Sequence, residues 1–443
     1  MTQPISGVST LGGVLTNAFG ATVALWILGY LTHIPGIQTP PAIVFFVLLV
    51  GLLSASLIAG RSMRRGAIGG AYFGLAIGLL NLLVLGSLLT TGAPDQTVPR
   101  AAIFVPGWLL ISTIIGLIGG VVGSRTAPAA ACIPNWTGRF ALVAVAATLL
   151  LILAGGVVTG YQAGLAVPDW PNSFGYNMFL YPLSRMTGGI YYEHTHRLIG
   201  SLIGLTTLVL CAYLWIAERR IWVKIFGTTL LAAVIAQGVM GGLRVTDQSI
   251  QLAVIHGVFA QCFLAGLCSL AAITSVRYRD RAVPESHAGA SIDRALGLIA
   301  AFGLLFQTTL GALVRHLGWA LQLHIIMAVV VAAIVFIFAL RCWGLYEKIA
   351  VIPVIGGALI YLVGAQLMLG VAALIVTGIE EQIPAWVQVI ATTAHQTTGA
   401  LLLAVTTSLV VWHFRLVETS PFAAPAAEAR HQTGDSAPAT SAS

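Results

Sequence analysis

The chain has 443 residues, of which 58% are hydrophobic and only 8% are charged. An ordinary soluble domain carries about 25% charged residues, so this composition excludes a soluble globular protein, a secreted disulfide scaffold and a disordered chain. The class that is left is a polytopic membrane protein, in which the net charge of +7 reflects the lysines and arginines that set topology and does not indicate nucleic-acid binding.

Twelve apolar runs are long enough to cross a bilayer, which takes about 20 residues of helix. In chain order they cover residues 13–32, 41–60, 67–90, 102–123, 139–160, 194–217, 225–243, 251–274, 293–313, 322–341, 350–376 and 387–413. The predicted fold is therefore an all-α polytopic membrane protein with about 12 transmembrane helices.

The predicted helices fall into three groups of four, followed by a tail. Residues 1–130 form an N-terminal four-helix extension of unknown role, residues 131–285 and 286–415 form two halves of a core, and residues 416–443 form a tail expected to be disordered. The core shows an internal repeat, since residues 236–241 read AQGVMG and residues 365–370 read AQLMLG. The helix before each of these runs and the helix after it carry one histidine each. We expect two four-helix bundles in tandem, running in the same sense.

The distribution of positive charge predicts the orientation. With the N-terminus inside, sixteen of the 21 lysines and arginines fall in inner loops or the inner tail, and five fall on the outer side. Cytoplasmic loops of membrane proteins are enriched in these residues. We therefore expect an integral multi-pass protein of a bacterial-type cell membrane, with both termini in the cytoplasm.

Four histidines lie inside predicted helices, where ionisable residues are costly and usually functional. They occupy the outer third to half of the second and fourth helix of each half, namely His196, His256, His324 and His395. In an up-down bundle these two helices are diagonal neighbours, so each half presents two opposed imidazoles, as bis-histidine ligation of a haem iron requires. The other histidines are interpreted as solvated, except that His194 is equally consistent with a structural and a functional role; the solvated ones are His33, His287, His316, His413 and His431.

A small residue follows each of the four histidines by one helical turn. These residues are Gly200, Ala260, Ala328 and Gly399. A flat macrocycle beside a ligating helix needs such clearance, whereas a tetrahedral metal site needs more ligands. Close helix packing in membranes also uses small residues. In combination with the paired histidines, the pattern favours haem.

Glu193 lies three residues before His196 and close to the same helix face. It is equally consistent with a proton relay, base or electrostatic partner at the site and with an interfacial glutamate paired with Arg197. The preceding outer loop, residues 161–192, is rich in aromatic residues and is suited to cap a lipophilic site. Candidate partners for haem propionates are the outer arginines Arg185, Arg244 and Arg315.

Several motifs together identify a family. They are the run PDWP at residues 168–171, Glu193-x-x-His196-Arg197, the lone His256, the stretch GALVRH at residues 311–316 before His324, and the run TAHQ around His395. Over residues 138–415 the sequence resembles the haem A synthase family, also called haem O monooxygenase.

The resemblance implies oxidation of the C8 methyl group of haem O to a formyl group, which gives haem A for terminal oxidases. It implies that His324 and His395 hold a haem B cofactor, that His196 and His256 hold the substrate haem, and that Glu193 matches the family's essential glutamate. Suggested partners are a haem O synthase, an electron donor of quinol or ferredoxin type, membrane lipid and a second copy of the chain.

Two features depart from the family pattern. Some members carry a cysteine pair in the first outer loop of the core, but here residues 166–168 read AVP, so a thiol role for this loop is excluded. Residues 1–130 have no counterpart in an eight-helix frame.

Two other functions fit part of the sequence pattern. A di-haem cytochrome b-like electron-transfer subunit would use the same paired histidines. A transporter is suggested by the tandem repeat, but the repeat is parallel and lacks further polar groups at the midplane.

Overall fold

The computed structural model describes residues 7–37, 39–128, 134–280 and 284–419. Within these ranges, twelve helices are long and apolar enough to span a membrane, as the sequence predicts. Their bounds, with the five-residue helix α9 included, are α1 Gly7–Leu31, α2 Pro41–Met63, α3 Gly66–Leu85, α4 Ala101–Arg125, α5 Trp136–Gly160, α6 Gly188–Ala217, α7 Ile221–Thr246, α8 Ile250–Thr274, α9 Val276–Asp280, α10 Ala290–Leu317, α11 Leu321–Leu345, α12 Val351–Gly378 and α13 Ala385–Leu416.

Most helices extend a few residues beyond the predicted apolar runs, and α6 shows why. The prediction begins this helix at residue 194 because polar residues interrupt the apolar pattern, whereas the structure begins it at Gly188. Glu193 and His194 are buried there beneath residues 161–187, which we call the long loop. Their polar groups find partners in that loop, so the helix continues through them.

The eight-helix core consists of two rings of four helices. In the first ring α5, α6, α7 and α8 each pack on their neighbours, and in the second ring α10, α11, α12 and α13 do the same. As predicted, α6 and α8 take diagonal positions in one ring, and α11 and α13 take them in the other. The rings join where α13 packs on α5 and α8. Gly156 and Gly160 of α5 permit this approach, since a Cβ on either would meet Thr393 or Val389 within 3 Å.

The N-terminal extension is held together by glycines. Gly70 and Gly74 of α3 face α4 so closely that a Cβ on either would collide with a backbone carbonyl oxygen of that helix. Without water to expel, helices in a membrane associate through such close backbone packing. The extension contacts the core through α1, where Phe19 lies 5.4 Å from Phe140 of α5 between ring centroids.

Two expectations about the C-terminal end are wrong. Val417–Thr419, placed in the disordered tail by the sequence, is a short strand that pairs in parallel with Glu285–His287. His413, expected to be solvated, is 1% exposed because α13 continues past it. The rest of the predicted tail, residues 420–443, lies outside the described residues.

His413 belongs to a buried polar cluster that sequence reasoning missed. Its ring lies 5.1 Å from that of Tyr346, and the His287 ring lies 4.7 Å from the same tyrosine. The Tyr346 hydroxyl and the Arg341 guanidinium both donate to the carboxylate of Asp293, which is fully buried. The cluster fastens α10, α11 and α13 to one another at the end of the second ring opposite the long loop.

Candidate functional site

Each of the four predicted histidines lies against a glycine of the preceding helix. The pairs are Gly155 with His196, Gly241 with His256, Gly311 with His324, and Gly370 with His395. A Cβ on the glycine would lie 3.2 Å from Cε1 of the imidazole in the first three pairs and 3.0 Å in the last. We call this packing of an imidazole on a glycine of the preceding helix a histidine seat. It occurs four times, once on each diagonal helix of the two rings.

The imidazoles also share an orientation. Each turns Cε1 towards its glycine, with Nδ1 nearer to the glycine than Nε2. Four positions before the glycine, on the same helix face, lies Leu151, Gln237, Gln307 or Gln366. Nδ1 of His196, His256 and His395 is buried without a hydrogen-bond partner among the described residues. A metal-ligating histidine typically turns its second ring nitrogen to a protein group, which leaves Nε2 for the metal.

The glutamine side chains reinforce the helix that carries the histidine. Nε2 of Gln307 donates to the backbone carbonyl of His324 at 2.8 Å and lies 3.0 Å from its Nδ1. Nε2 of Gln237 donates in the same way to the carbonyl of His256 at 3.2 Å. Leu151 takes this position beside His196, so that seat lacks the amide.

The pair in the second ring faces across the bundle. The His324 and His395 ring centroids are 6.4 Å apart, with the rings nearly perpendicular at 86°. With a metal–nitrogen bond of about 2 Å, two imidazoles on opposite sides of one metal stand roughly 6–6.5 Å apart between centroids. The observed separation would leave room for one metal atom between the two rings. In the first ring, His196 and His256 lie on diagonal helices, each against its glycine.

The free space beside the histidine-bearing helices differs between α6 and α13. A Cβ on Gly200 would have only Leu151 Cδ1 near it, at 4.0 Å, and a Cβ on Gly204 would have nothing within 4 Å. Gly399 is tighter, because the Gln366 amide nitrogen lies 3.2 Å from the position of its Cβ. The clearance predicted for a flat macrocycle is therefore present along α6 beyond His196.

Glu193 is 3% exposed and fully engaged in fixing the long loop. Its Oε1 pairs with Arg197 Nη2 at 2.7 Å, and its Oε2 accepts from the backbone N–H of Val167 at 2.8 Å. Arg197 also donates to three carbonyl oxygens of the loop, those of Val167, Asp169 and Asn172. The pairing with Arg197, one of the two interpretations of this glutamate, is what the structure shows.

The long loop lies over the first ring. The indole of Trp170 fills the space above Gly242, the residue after the glycine that faces His256. The guanidinium of Arg244 packs on Gly164, and its Nη1 donates to the Gly164 carbonyl at 2.7 Å. Because the loop is anchored to both α6 and α7, it closes the end of the ring that holds His196 and His256.

Two of the three predicted propionate partners line one cavity. Arg244 and Arg315 face a space of about 450 Å³ where the ends of α5, α7 and α10 meet the start of α8. We call this space the arginine cavity. Arg315 Nη2 donates to the Thr159 carbonyl at 2.9 Å. With the bond from Arg244 to Gly164, each guanidinium group makes one hydrogen bond to the described residues, out of five N–H donors. His316, expected to be solvated, lines this cavity as well.

The third arginine lies elsewhere. Arg185 Nη1 donates to the Tyr176 hydroxyl at 2.8 Å, and its Nη2 donates to the Gly92 carbonyl at 3.3 Å. It therefore links the long loop to the N-terminal extension and does not line the arginine cavity.

His194 has a structural environment. It is completely buried, with Nδ1 3.1 Å from the Ser173 hydroxyl and its ring 5.0 Å from that of Tyr181. Burial also raises the pKa of the Tyr181 hydroxyl. The aromatic cluster around His194 stiffens the long loop. His194 lies two residues before His196, so the two side chains leave different faces of α6.

These features define a polytopic membrane protein whose core presents two pairs of imidazoles. In a comparison with known proteins, residues 138–323 match the COX15-CtaA family, described as cytochrome oxidase assembly protein. The match covers the first ring and α10, and it ends just before His324. It confirms the resemblance that the motifs indicate.

A relative adds to this. The chain is 32% identical over 108 residues to the heme A synthase of Lysinibacillus sphaericus (strain C3-41), which is 24% of this chain and 34% of the relative. The match therefore spans about a third of the relative's length. No solved structure matches the chain significantly.

Proposed function

We propose that this chain is a haem A synthase, a membrane oxidoreductase that oxidises the C8 methyl group of haem O to a formyl group and makes haem A for terminal oxidases. The observation that carries the proposal is the histidine seat that occurs four times, on the diagonal helices of both rings. The family match over residues 138–323 and the heme A synthase relative support it.

His324 and His395 are proposed to hold a haem B cofactor, and His196 and His256 the substrate haem O. The 6.4 Å separation of the second pair supports the first assignment. The loop cover and the clearance at Gly200 and Gly204 support the second, because a substrate whose edge reacts needs room and shielding from water. A haem B bound at the second pair would supply one-electron redox chemistry within the same membrane core.

The remaining residues are proposed to orient and shield the substrate. Arg244 and Arg315 present guanidinium donors that match a propionate carboxylate. Glu193 and Arg197 hold residues 167–172 in place above the first ring. Glu193 is also proposed to act in the oxidation, as an electrostatic partner or proton acceptor beside Arg197.

Partners and orientation follow from the same proposal. We infer that haem O reaches the site from a haem O synthase, that a quinol or ferredoxin-type donor supplies electrons, and that the chain self-associates.

We also infer that both termini lie in the cytoplasm. In a cysteine-free chain, an impermeant maleimide applied to intact cells should label Asp247→Cys but not Glu347→Cys, and the reverse labelling would overturn this orientation.

The deciding experiment is haem extraction from cells that make haem O but not haem A. The full chain is expressed in them, and the extracted haems are separated by chromatography. Haem A is expected with the unaltered chain and with His33→Ala, whose imidazole is exposed at the end of α1. His196→Ala and His256→Ala should yield no haem A, and His324→Ala and His395→Ala should also lower bound haem B.

Other outcomes would refute the proposal. Two haem B groups per chain, with haem O unchanged in the membrane, would identify a di-haem electron-transfer cytochrome. A well-folded chain that binds no haem would remove the histidine pairs from the mechanism altogether.

A further inference from the structure

A second cavity lies at the end of the core opposite the long loop. It has a volume of about 570 Å³ and is framed by the end of α6, the start of α7, α9 and the end of α13. We call it the basic cavity, and its principal lining residues are Arg219, Arg220, Arg279, Arg415, Trp222 and Tyr278. None of these residues belongs to the histidine pairs or the arginine cavity.

The basic cavity has an excess of positive charge. Four guanidinium groups and only two carboxylates, those of Glu218 and Asp280, line it. Glu218 is committed to Arg220, whose Nε and Nη2 lie 3.0 and 2.8 Å from its oxygens. Burial alone would raise the Glu218 pKa, but hydrogen bonds from Arg220 and Arg219 more than offset it and lower the pKa to about 2. Asp280 approaches Arg279 only to 3.9 Å.

Aromatic side chains hold two of the arginines in place. The Arg220 guanidinium lies 5.5 Å from the Trp222 ring centroid, and that of Arg415 lies 5.6 Å from the Tyr278 ring centroid. Arg415 Nε also donates to the Tyr278 carbonyl at 3.1 Å. Because these contacts fix the guanidinium groups before any ligand arrives, a ligand would lose little entropy in ordering them.

The rim of the cavity faces lipid. Ile221 and Trp222 at the start of α7 and Trp215 and Ile216 near the end of α6 are all about half exposed. Exposed apolar side chains on a spanning helix contact acyl chains, and tryptophan favours the headgroup level of the membrane. The cavity therefore opens where hydrocarbon gives way to water, at the helix ends that the charge distribution assigns to the cytoplasm.

We propose that the basic cavity binds the phosphate of an anionic phospholipid headgroup. Arginine suits phosphate because its planar donors meet two oxygens at once, and basic pockets between membrane helices on the cytoplasmic side are suited to acidic lipids. The acyl chains would lie along the exposed faces of α6 and α7. This inference is independent of the function proposed for the histidine pairs.

Native mass spectrometry of the full chain released from detergent tests the proposal. The chain is mixed with phosphatidylglycerol, phosphatidylcholine or millimolar inorganic phosphate, and the bound molecules are counted. The unaltered chain should retain phosphatidylglycerol and not phosphatidylcholine. The double variant Arg219→Gln, Arg279→Gln should bind phosphatidylglycerol about thirtyfold more weakly, from about 1 kcal/mol per arginine near the surface. Arg220 and Arg415 are left intact because they also bind backbone carbonyls.

Arg277→Gln is the matched control, since this exposed arginine of α9 does not line the cavity. It should retain phosphatidylglycerol as the unaltered chain does. Equal retention of both lipids, or equal loss in the control and the double variant, would overturn the proposal. Retention of inorganic phosphate without phosphatidylglycerol would identify a soluble phosphate site and overturn the assignment to lipid.

Discussion

The glycine facing each imidazole leaves little room for a larger side chain. At Gly370 a Cβ would lie 3.0 Å from Cε1 of His395, and no atom of another residue lies nearer. Packed interiors respond to added carbon atoms by shifting side chains, at a cost of about 1–3 kcal/mol. A larger residue here therefore moves the imidazole first.

We expect Gly370→Val to remove most of the haem B proposed for the second pair, because the branched side chain displaces His395 from its position opposite His324. Gly364→Val on the same helix is the control, since nothing lies within 4 Å of the position of its Cβ and its β-branch carries the same helical cost. Haem per chain, from pyridine haemochrome absorbance, is the measurement. Equal haem contents in the two variants would contradict the proposed role of the glycine.

Glu193 permits a test that separates chemistry from support of the loop. In Glu193→Gln the side-chain oxygen can still accept from Val167 N–H, whereas the charge beside Arg197 is lost. If Glu193 acts in the oxidation, haem A formation should fall at least a hundredfold, the usual contribution of a positioned acid or base. Bound haem B should change little. Protease resistance of the long loop should fall less than in Arg197→Gln, because Arg197 keeps its hydrogen bonds to three loop carbonyl oxygens.

The comparison variant for that prediction is Arg197→Gln. It removes three hydrogen bonds to loop carbonyl oxygens and the ion pair with Glu193. Breaking a buried ion pair from one side costs about 3–5 kcal/mol, so this variant should lose loop protection as well as activity. Equal loop cleavage and equal activity in the two variants would show that Glu193 only supports the loop.

Sequence reasoning singles out residues where one position carries the signal. His196, His256, His324 and His395 stand out because imidazoles are rare inside spanning helices, and the structure gives all four the same seat. The internal repeat contains two of the glycines that face them, Gly241 and Gly370. Their role could not be recognised from the sequence, because it depends on which residue of the next helix each glycine faces. Asp293 was missed for a related reason, since a charge near a helix end is ordinarily solvated.

At the scale of elements, the long loop is attached to the N-terminal extension as well as to α6 and α7. The backbone N–H of Asn177 donates to Asp95 Oδ1 at 2.7 Å, and the Tyr176 hydroxyl donates to the Gly92 carbonyl. Arg185 bonds to both of these groups, the hydroxyl and the carbonyl. The loop between α3 and α4 thus supports the segment that covers the first ring, a connection between distant parts of the chain that no local pattern predicts.

Asp95→Ala should therefore loosen the long loop. It removes one hydrogen bond to a charged, partly solvated acceptor, worth about 1 kcal/mol, so the loop should open to protease about five times more often. Asp247→Ala, on the loop between α7 and α8, is the control because its carboxylate bonds only to nearby Thr246. Cleavage rates within residues 161–187 are compared in membranes, and indistinguishable rates would mean that α6 and α7 alone fix the loop.

For the whole molecule, the question is what the extension contributes to the core. Its contacts pass through α1 to α5 and α6, and through the loop between α3 and α4 to the long loop. The α1–α5 interface is largely apolar, as the contact of Phe19 with Phe140 illustrates. The Thr16 hydroxyl donates one hydrogen bond across it, to the Trp136 carbonyl at 3.4 Å. In a membrane, lipid tails can replace an apolar helix face at little cost, whereas they cannot replace the hydrogen bonds to the long loop.

Removal of residues 1–130 should consequently affect the two rings differently. We expect the remaining chain to fold and to keep haem B at His324 and His395, while haem A formation falls severalfold because the long loop covers His196 and His256 less securely. Haem extraction and loop proteolysis measure both effects. Co-expression of residues 1–130 as a separate chain should restore loop protection, since their contacts with the core are non-covalent. Loss of haem B from well-expressed protein, or unchanged activity together with unchanged loop protection, would contradict a supporting role confined to the first ring.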